Sequence, residues 1–228
     1  MTRDYRIKVT EDTKTKVLQV PDFEIYDKTL QKTNIEVIND DSLTVASEYT
    51  FPFVLINASP IKPGGGVWTG ARAQEEDIFR RSSLCSITDD LKTLYPLYNS
   101  NKGIYISEVE ALKDTEENKY EYLKNPFIFS AFIMPAQNLS NPKVEFSYKD
   151  TFNRIDTILS AALYHHHENL VLSAFGCGVF KNDPTIIASI FKKLLDTKFK
   201  NIFDNVVFAV LSKNDNNYKI FKEILKNE

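Results

Sequence analysis

Cysteine is nearly absent from the 228 residues. Cys85 and Cys177 are the only two, too few for a disulfide framework and without the paired spacing of a structural zinc site. A reducing compartment is the expectation. An excess of one charge is also lacking: Lys and Arg number 28 against 31 Asp and Glu, a formal net charge of -3 that gives no general attraction for nucleic acid or anionic lipid. No uninterrupted apolar run is long enough to span a bilayer, and Met1-Thr2-Arg3-Asp4-Tyr5-Arg6 has no apolar signal core. The chain therefore reads as intracellular, in cytoplasm or nucleus, with no membrane partner. With 43% hydrophobic and 26% charged residues it has the balance of a protein able to bury a substantial core. One domain of generous size, or one with a terminal extension, is expected.

Residues 2–19 are polar, of mixed charge and weakly helical in period, and Pro21-Asp22 closes them off. Residues 1–33 thus read as a short helical accessory element packing on a single domain over 34–228. Asn34 to Ile38 alternates like a strand, and Asp40-Asp41-Ser42 offers an N-cap for a short helix to about Tyr49. Phe51-Pro52-Phe53-Val54-Leu55-Ile56 is apolar throughout, as in a strand buried on both faces. From Ala71 the pattern is helical, with Ile78, Phe79, Ser82 and Cys85 on one side. Strands are expected at 103–106, 126–133, 170–175 and 205–210, and helices at 150–164, 183–198 and from about Asn217. In the first of these helices Ile155, Ile158, Leu159 and Ala162 point inward. Alternating strands and helices imply an α/β sheet covered on both faces, with ligands beyond the strand ends.

The chain has only seven glycines, yet Gly64-Gly65-Gly66 are consecutive, and each surrenders much backbone freedom on folding. Residue types alone leave two readings open: a tight turn, or a cradle whose N–H groups approach a ligand closely beside a helix start. Ala174-Phe175-Gly176-Cys177-Gly178-Val179-Phe180 repeats the arrangement between a second strand and helix. Neither loop is a Gly-x-Gly-x-x-Gly fingerprint or a Gly-Lys-Ser/Thr loop, so a diphosphate held between the two fits better than either motif.

Gln74-Glu75-Glu76-Asp77 has an ordinary structural explanation, since acids in a first helical turn complement the helix dipole. Glu76–Arg80 and Asp77–Arg81 also have the spacing of surface ion pairs. Position favours more, because the acids begin within about two helical turns of the glycines. Adjacent helical residues diverge by roughly 100°, so Glu75 and Glu76 are expected to divide labour rather than face one atom. That disfavours the usual glycosidase pair flanking the scissile bond.

With these residues in view, the chain resembles the macrodomain-type poly(ADP-ribose) glycohydrolases, in particular their smaller bacterial and microbial class. The family signature is Gly-Gly-Gly, six to eight residues, then Gln-Glu-Glu; here the seven residues Val67 to Ala73 separate Gly66 from Gln74. The resemblance continues through Arg80-Arg81-Ser82-Ser83-Leu84 and returns in Ala174 to Pro184. It implies a macrodomain fold, a three-layer α/β/α sandwich with a central mixed sheet, holding ADP-ribose at the strand ends. By motif position, Glu76 would be the general acid/base and Glu75 would orient the ribose, with Gln74 beside them. A raised pKa would suit a glutamate that begins as an acid. The resemblance further implies that Gly64, Gly65 and Gly66 hold the distal ribose and phosphate, and that Phe175, Gly176, Cys177, Gly178, Val179 and Phe180 close over the diphosphate. Asn57, in Ile56-Asn57-Ala58-Ser59, would be a ribose ligand, although it stands one place nearer the Ala-Ser than the family's usual Asn-x-Ala-Ser. Asp41 would contact adenine. Trp68 is either a cleft wall or a local peculiarity.

The expected reaction is hydrolysis of the ribose–ribose O-glycosidic bond of poly(ADP-ribose), releasing ADP-ribose, by a monomer without metal or cofactor. Two alternatives share the motifs: a hydrolase of single ADP-ribosyl groups on macromolecules, and a non-catalytic ADP-ribose reader. His165-His166-His167 cannot easily converge on one ion and reads as a solvated helix end. Cys177 has no histidine partner in sight and reads as a small loop residue rather than a nucleophile.

Overall fold

The computed structural model describes residues 32–212 and 216–226. The expected N-terminal helix over 2–19 lies outside them. Strand β1 (Asn34–Ile38) leads to helix α1 (Ser42–Ala46), which ends short of Tyr49, and then to β2 (Phe53–Asn57). Helix α2 (Gln74–Arg81) and the short α3 (Thr88–Leu91) precede β3 (Ile104–Lys113) and β4 (Tyr122–Met134). Helix α4 (Tyr148–Tyr164), β5 (Asn169–Leu172), α5 (Pro184–Asp196), β6 (Asn205–Ala209) and α6 (Asn217–Ile224) complete the order.

The six strands form one sheet in the order β1-β6-β5-β2-β4-β3. All neighbours are parallel except β3, an antiparallel edge on β4, so the sheet is mixed. Alternation along each strand divides the core in two. Phe53 and Leu55 of β2, with Val206 and Phe208 of β6, pack against Ile155, Ile158, Leu159 and Ala162 of α4 and against α5 and α6. Val54 and Ile56, with Val207, pack on the other face against Leu43, Ile78, Phe79 and Leu84. Helices therefore cover both faces, and the loops after β2 and β5, neighbours in the sheet, open side by side at its carboxyl edge.

Several expected boundaries move for local reasons. Phe51 adopts φ 48 and is 55% exposed, so β2 starts two residues later than its apolar run. Helix α2 begins at Gln74 rather than Ala71, whose N–H closes the glycine loop on Gly66 O. It stops where Ser82 turns extended and uses its hydroxyl to receive Leu84 N–H. Cys85 consequently falls in a 3-10 turn and is exposed rather than inward. Strand β5 ends at Leu172 because Ser173 to Phe175 turn sharply, Phe175 N–H meeting Ser173 O. The histidines are not a solvated end: only His166 is exposed, while His165 stacks on the Tyr105 ring and His167 Nε2 lies 2.8 Å from the Tyr105 hydroxyl. Among the described residues no helix is long and apolar enough to cross a membrane.

Candidate active site

A cleft of about 630 Å³ runs across the carboxyl ends of β1, β6, β5 and β2. Its walls bring together Asp41, Asn57, Gln74, Glu75, Glu76, Gly178, Val179 and Phe180, eight of the residues expected from sequence. Crevices beyond the carboxyl ends of parallel strands are where open α/β sheets bind ligands.

The glycine loop acts on the protein's own carboxylates. Gly64 and Gly65 have φ 68 and 47, a backbone that places successive N–H groups on one concave side. Gly66 N–H donates to Glu76 Oε1 at 2.8 Å, and the N–H groups of Gly64 and Gly65 face the Glu75 carboxyl. The three glycines, expected to hold ribose and phosphate, direct these donors at the two glutamates. The close approach explains why they are glycines: a Cβ on Gly65 would lie 2.4 Å from Glu76 Oε1 and 2.8 Å from Glu75 Oε2. Both acids thus approach Gly65, but on different donors: Glu76 uses Gly66 N–H, whereas Glu75 uses Ser59 N–H and faces Gly64 and Gly65.

Their environments differ. Glu76 also accepts from Ala73 N–H at 3.1 Å, the reach-back half of a capping box, while Ala73 has no side-chain oxygen to reciprocate. Glu75 is 3% exposed; Oε2 accepts from Ser59 N–H at 2.6 Å, and Oε1 has no partner among the described residues. Burial above all, helped by the neighbouring Glu76 charge and opposed by the N–H groups of Ser59, Gly64 and Gly65, pushes the Glu75 carboxyl up to about 8. The expectation that the raised pKa belongs to the acid/base glutamate thus meets it on the neighbouring residue.

Gln74 is built into the scaffold. Its amide Nε2 donates to Ser42 Oγ and Leu55 O, and Oε1 accepts from Asn57 N–H at 3.0 Å, so it extends the hydrogen bonding of β2 and ties it to α1. Asn57, which lines the cleft, receives Ala136 N–H on its Oδ1, so its amide N–H₂ remains as the end that can donate to a ligand. Asp41 caps α1 through Leu43 and Thr44 N–H and pairs with Arg81 at 2.7 Å. Burial would raise its pKa, yet the Arg81 guanidinium and the Thr44 bonds hold it below the ordinary carboxylate range. The anticipated surface pairs are different objects. Asp77–Arg81 is part of this buried cluster, and Arg80 leaves Glu76 for Ala71 O and the Tyr120 ring.

In the second loop only part of the expected set faces the cleft. Phe175 is fully buried in the core, and Cys177 is buried with its thiol toward Phe175 O. Gly176 has φ 74, and a Cβ there would meet Ala136 and Asn182 at 2.5 and 2.6 Å, so its role is the turn and its packing. Gly178 has open space around it, Val179 is 65% exposed, and Phe180 is half-buried against the core. Trp68 is 75% exposed and does not line the cleft. Sequence reasoning missed Ser59, whose contribution is a backbone N–H, and the β3–β4 connection, whose Thr115, Glu116, Glu117 and Tyr120 line the cleft without any motif. Among the described residues no group of three or more His, Cys, Asp or Glu could hold a metal ion.

Residues 3–131 match the family described as microbial-type PARG, catalytic domain. The fold matches a poly(ADP-ribose) glycohydrolase mutant from Thermomonospora curvata at 27% identity and TM-score 0.80, covering 97% of this chain and 88% of that one. The same organism's enzyme bound to the inhibitor ADP-HPD matches at 26% identity and TM-score 0.75, with coverage of 97% and 88%. A poly(ADP-ribose) glycohydrolase mutant from Deinococcus radiodurans in complex with ADP-ribose matches at 27% identity and TM-score 0.76, with coverage of 96% and 92%. No curated protein matches. With its glycine loop, its paired glutamates and more than half its length matched by the family model, this chain belongs to the microbial-type PARG family.

Proposed function

We propose that Glu76 is the general acid/base with which this poly(ADP-ribose) glycohydrolase cleaves the ribose–ribose bond, and that Glu75 serves as a neutral group orienting the ribose. Glu76 would give its proton to the departing ribose oxygen as the C–O bond breaks. It would then take a proton from the water that attacks the oxocarbenium-like centre, so that the glutamate returns to its starting state. The substrate's own diphosphate can stabilise that centre, which removes the need for a second enzymic carboxylate. A protonated Glu75 lowers the negative charge that the diphosphate must approach.

The observation that carries this reading is the fixing of Glu76 by Gly66 and Ala73 N–H at the cleft wall, beside a carboxyl whose pKa is pushed to about 8. We read residues 34–228 as one macrodomain-type catalytic domain with 1–33 as its accessory segment. ADP-ribose would lie from the Asp41 and Val210 end of the cleft past Gly178–Phe180 to the glutamates, with Asn57 Nδ2 on the ribose. We read the chain as an intracellular monomer, its two cysteines being too few for a disulfide framework. Glu76→Ala should lower polymer turnover at least about a hundredfold while ADP-ribose affinity stays within about tenfold, because an acid/base acts mainly in the transition state. Wild-type turnover in that variant, read as ADP-ribose released from polymer, would sink the assignment.

A further inference from the structure

Glu75 Oε1 and the Tyr95 hydroxyl are both buried polar atoms without a hydrogen-bond partner among the described residues. Their segments are joined. Leu97 N–H donates to Pro60 O at 2.8 Å, which holds the Tyr95–Leu97 stretch against the turn whose Ser59 N–H donates to Glu75 Oε2. Tyr95 does not line the cleft; its ring packs against the core cluster that includes Ile78 and Phe79 of α2, the helix that carries Glu75. Burial first, and the Glu75 charge second, raise the phenol's pKa.

We propose that Tyr95 is a positioning residue for the glycohydrolase reaction, its hydroxyl linked to Glu75 Oε1 through one buried water so that the carboxyl keeps a fixed face toward the substrate ribose. The proposal rests on the role given to Glu75 above. Ser59 N–H makes Oε2 an acceptor, so the proton of neutral Glu75 belongs on Oε1. A phenol can receive a hydrogen bond from that side while Glu75 is neutral and return one when it ionises. A single water is the ordinary means by which two such buried groups satisfy one another. The arrangement favours ionised Glu75 relative to an apolar wall, so deleting the hydroxyl should raise the Glu75 pKa still further.

Tyr95→Phe keeps the ring and removes only the hydroxyl. The expected result is a kcat about tenfold lower, with ADP-ribose affinity within about threefold, and an alkaline limb of the pH–rate profile moved upward by about half a unit or more. Wild-type kcat with an unmoved limb overturns the proposal, as does a lower thermal midpoint with no movement of the limb. Should the variant fail to fold, wild-type chain carrying 3-fluorotyrosine, a stronger donor, must move the limb downward, and an unmoved limb overturns it. Titration of Glu75 by carboxyl carbon NMR, its signal assigned with Glu75→Gln, reads the Tyr95 effect independently of turnover. Loss of polymer turnover in the wild type would therefore sink the functional reading alone.

Discussion

Gly65 and Glu76 are placed so closely that a methyl group on the glycine would stand 2.4 Å from Oε1 of the glutamate. Only a residue without Cβ lets the loop pass, and the φ of 47 at Gly65 compounds the restriction. Gly65→Ala should therefore displace Glu75 and Glu76 together. The expected outcome is loss of about 1–3 kcal/mol of stability and a fall in kcat of at least about a hundredfold. Urea unfolding and polymer turnover on the same preparation check both halves.

Glu75 makes stability depend on pH with a definite sign. Its folded pKa of about 8 stands above the ordinary 4.5, so between those values the folded chain binds more protons at this residue than the unfolded chain does. The stabilisation from neutral Glu75 is complete below about 4.5 and is lost as pH rises through about 8. Glu75→Gln removes that term. Its unfolding free energy should change less between pH 5 and pH 9 than the wild type's does, and its turnover should lose the alkaline limb. Parallel pH dependences for the two proteins would rule out the neutral carboxyl.

The apolar strands β2, β4, β5 and β6 are legible to within a few residues, whereas β3, expected at 103–106, runs on to Lys113 through a half-exposed stretch at the sheet edge that has no apolar run. The site was legible as a motif but not as a set of contacts. Gln74 bonds Asn57, 17 positions away, and Ser59 acts through its N–H, so neither role leaves a trace in residue type. The glycines signal close backbone approach, and their N–H groups meet the carboxylates of Glu75 and Glu76. The β3–β4 connection was invisible because Thr115, Glu116 and Tyr120 look like any polar turn until the antiparallel edge strand brings them over α2. Phe175 carried the family's second motif but faces the core, since the turn at Ser173–Phe175 reverses the chain before Gly178 reaches the cleft.

Gln74 offers a way to separate scaffold from ligand. Its amide satisfies Ser42, Leu55 and Asn57 at once, all in the ligand-free protein. Gln74→Leu keeps much of the volume and orphans those groups, which should cost about 2–4 kcal/mol given about 1–3 kcal/mol for each unsatisfied buried partner and some relief by relaxation. Equilibrium urea unfolding without ADP-ribose should show a lower midpoint at an unchanged slope. A substrate ligand would behave in the opposite way, with stability intact and affinity reduced.

Asn182 holds the second loop from beneath. Its Nδ2 donates to Gln137 O at 2.8 Å and to Gly176 O at 3.0 Å, while Oδ1 has no partner among the described residues, so the donating end carries the contact. Asn182→Asp keeps the shape and turns an acceptor toward the carbonyl oxygens of Gln137, Gly176 and Phe180, a buried mismatch at a residue only 3% exposed. The Gly176 turn should loosen, carrying Gly178, Val179 and Phe180 away from the cleft. ADP-ribose affinity should fall at least about tenfold, and amide hydrogen exchange from Gly176 to Phe180 should quicken. Val179→Ala is the control: at 65% exposure it should change stability by no more than about 0.5 kcal/mol and leave exchange in the turn unaltered. Unchanged affinity and exchange in Asn182→Asp would show that backbone bonds, Asn182 N–H to Gly176 O and Leu139 N–H to Phe180 O, hold the loop without the side chain.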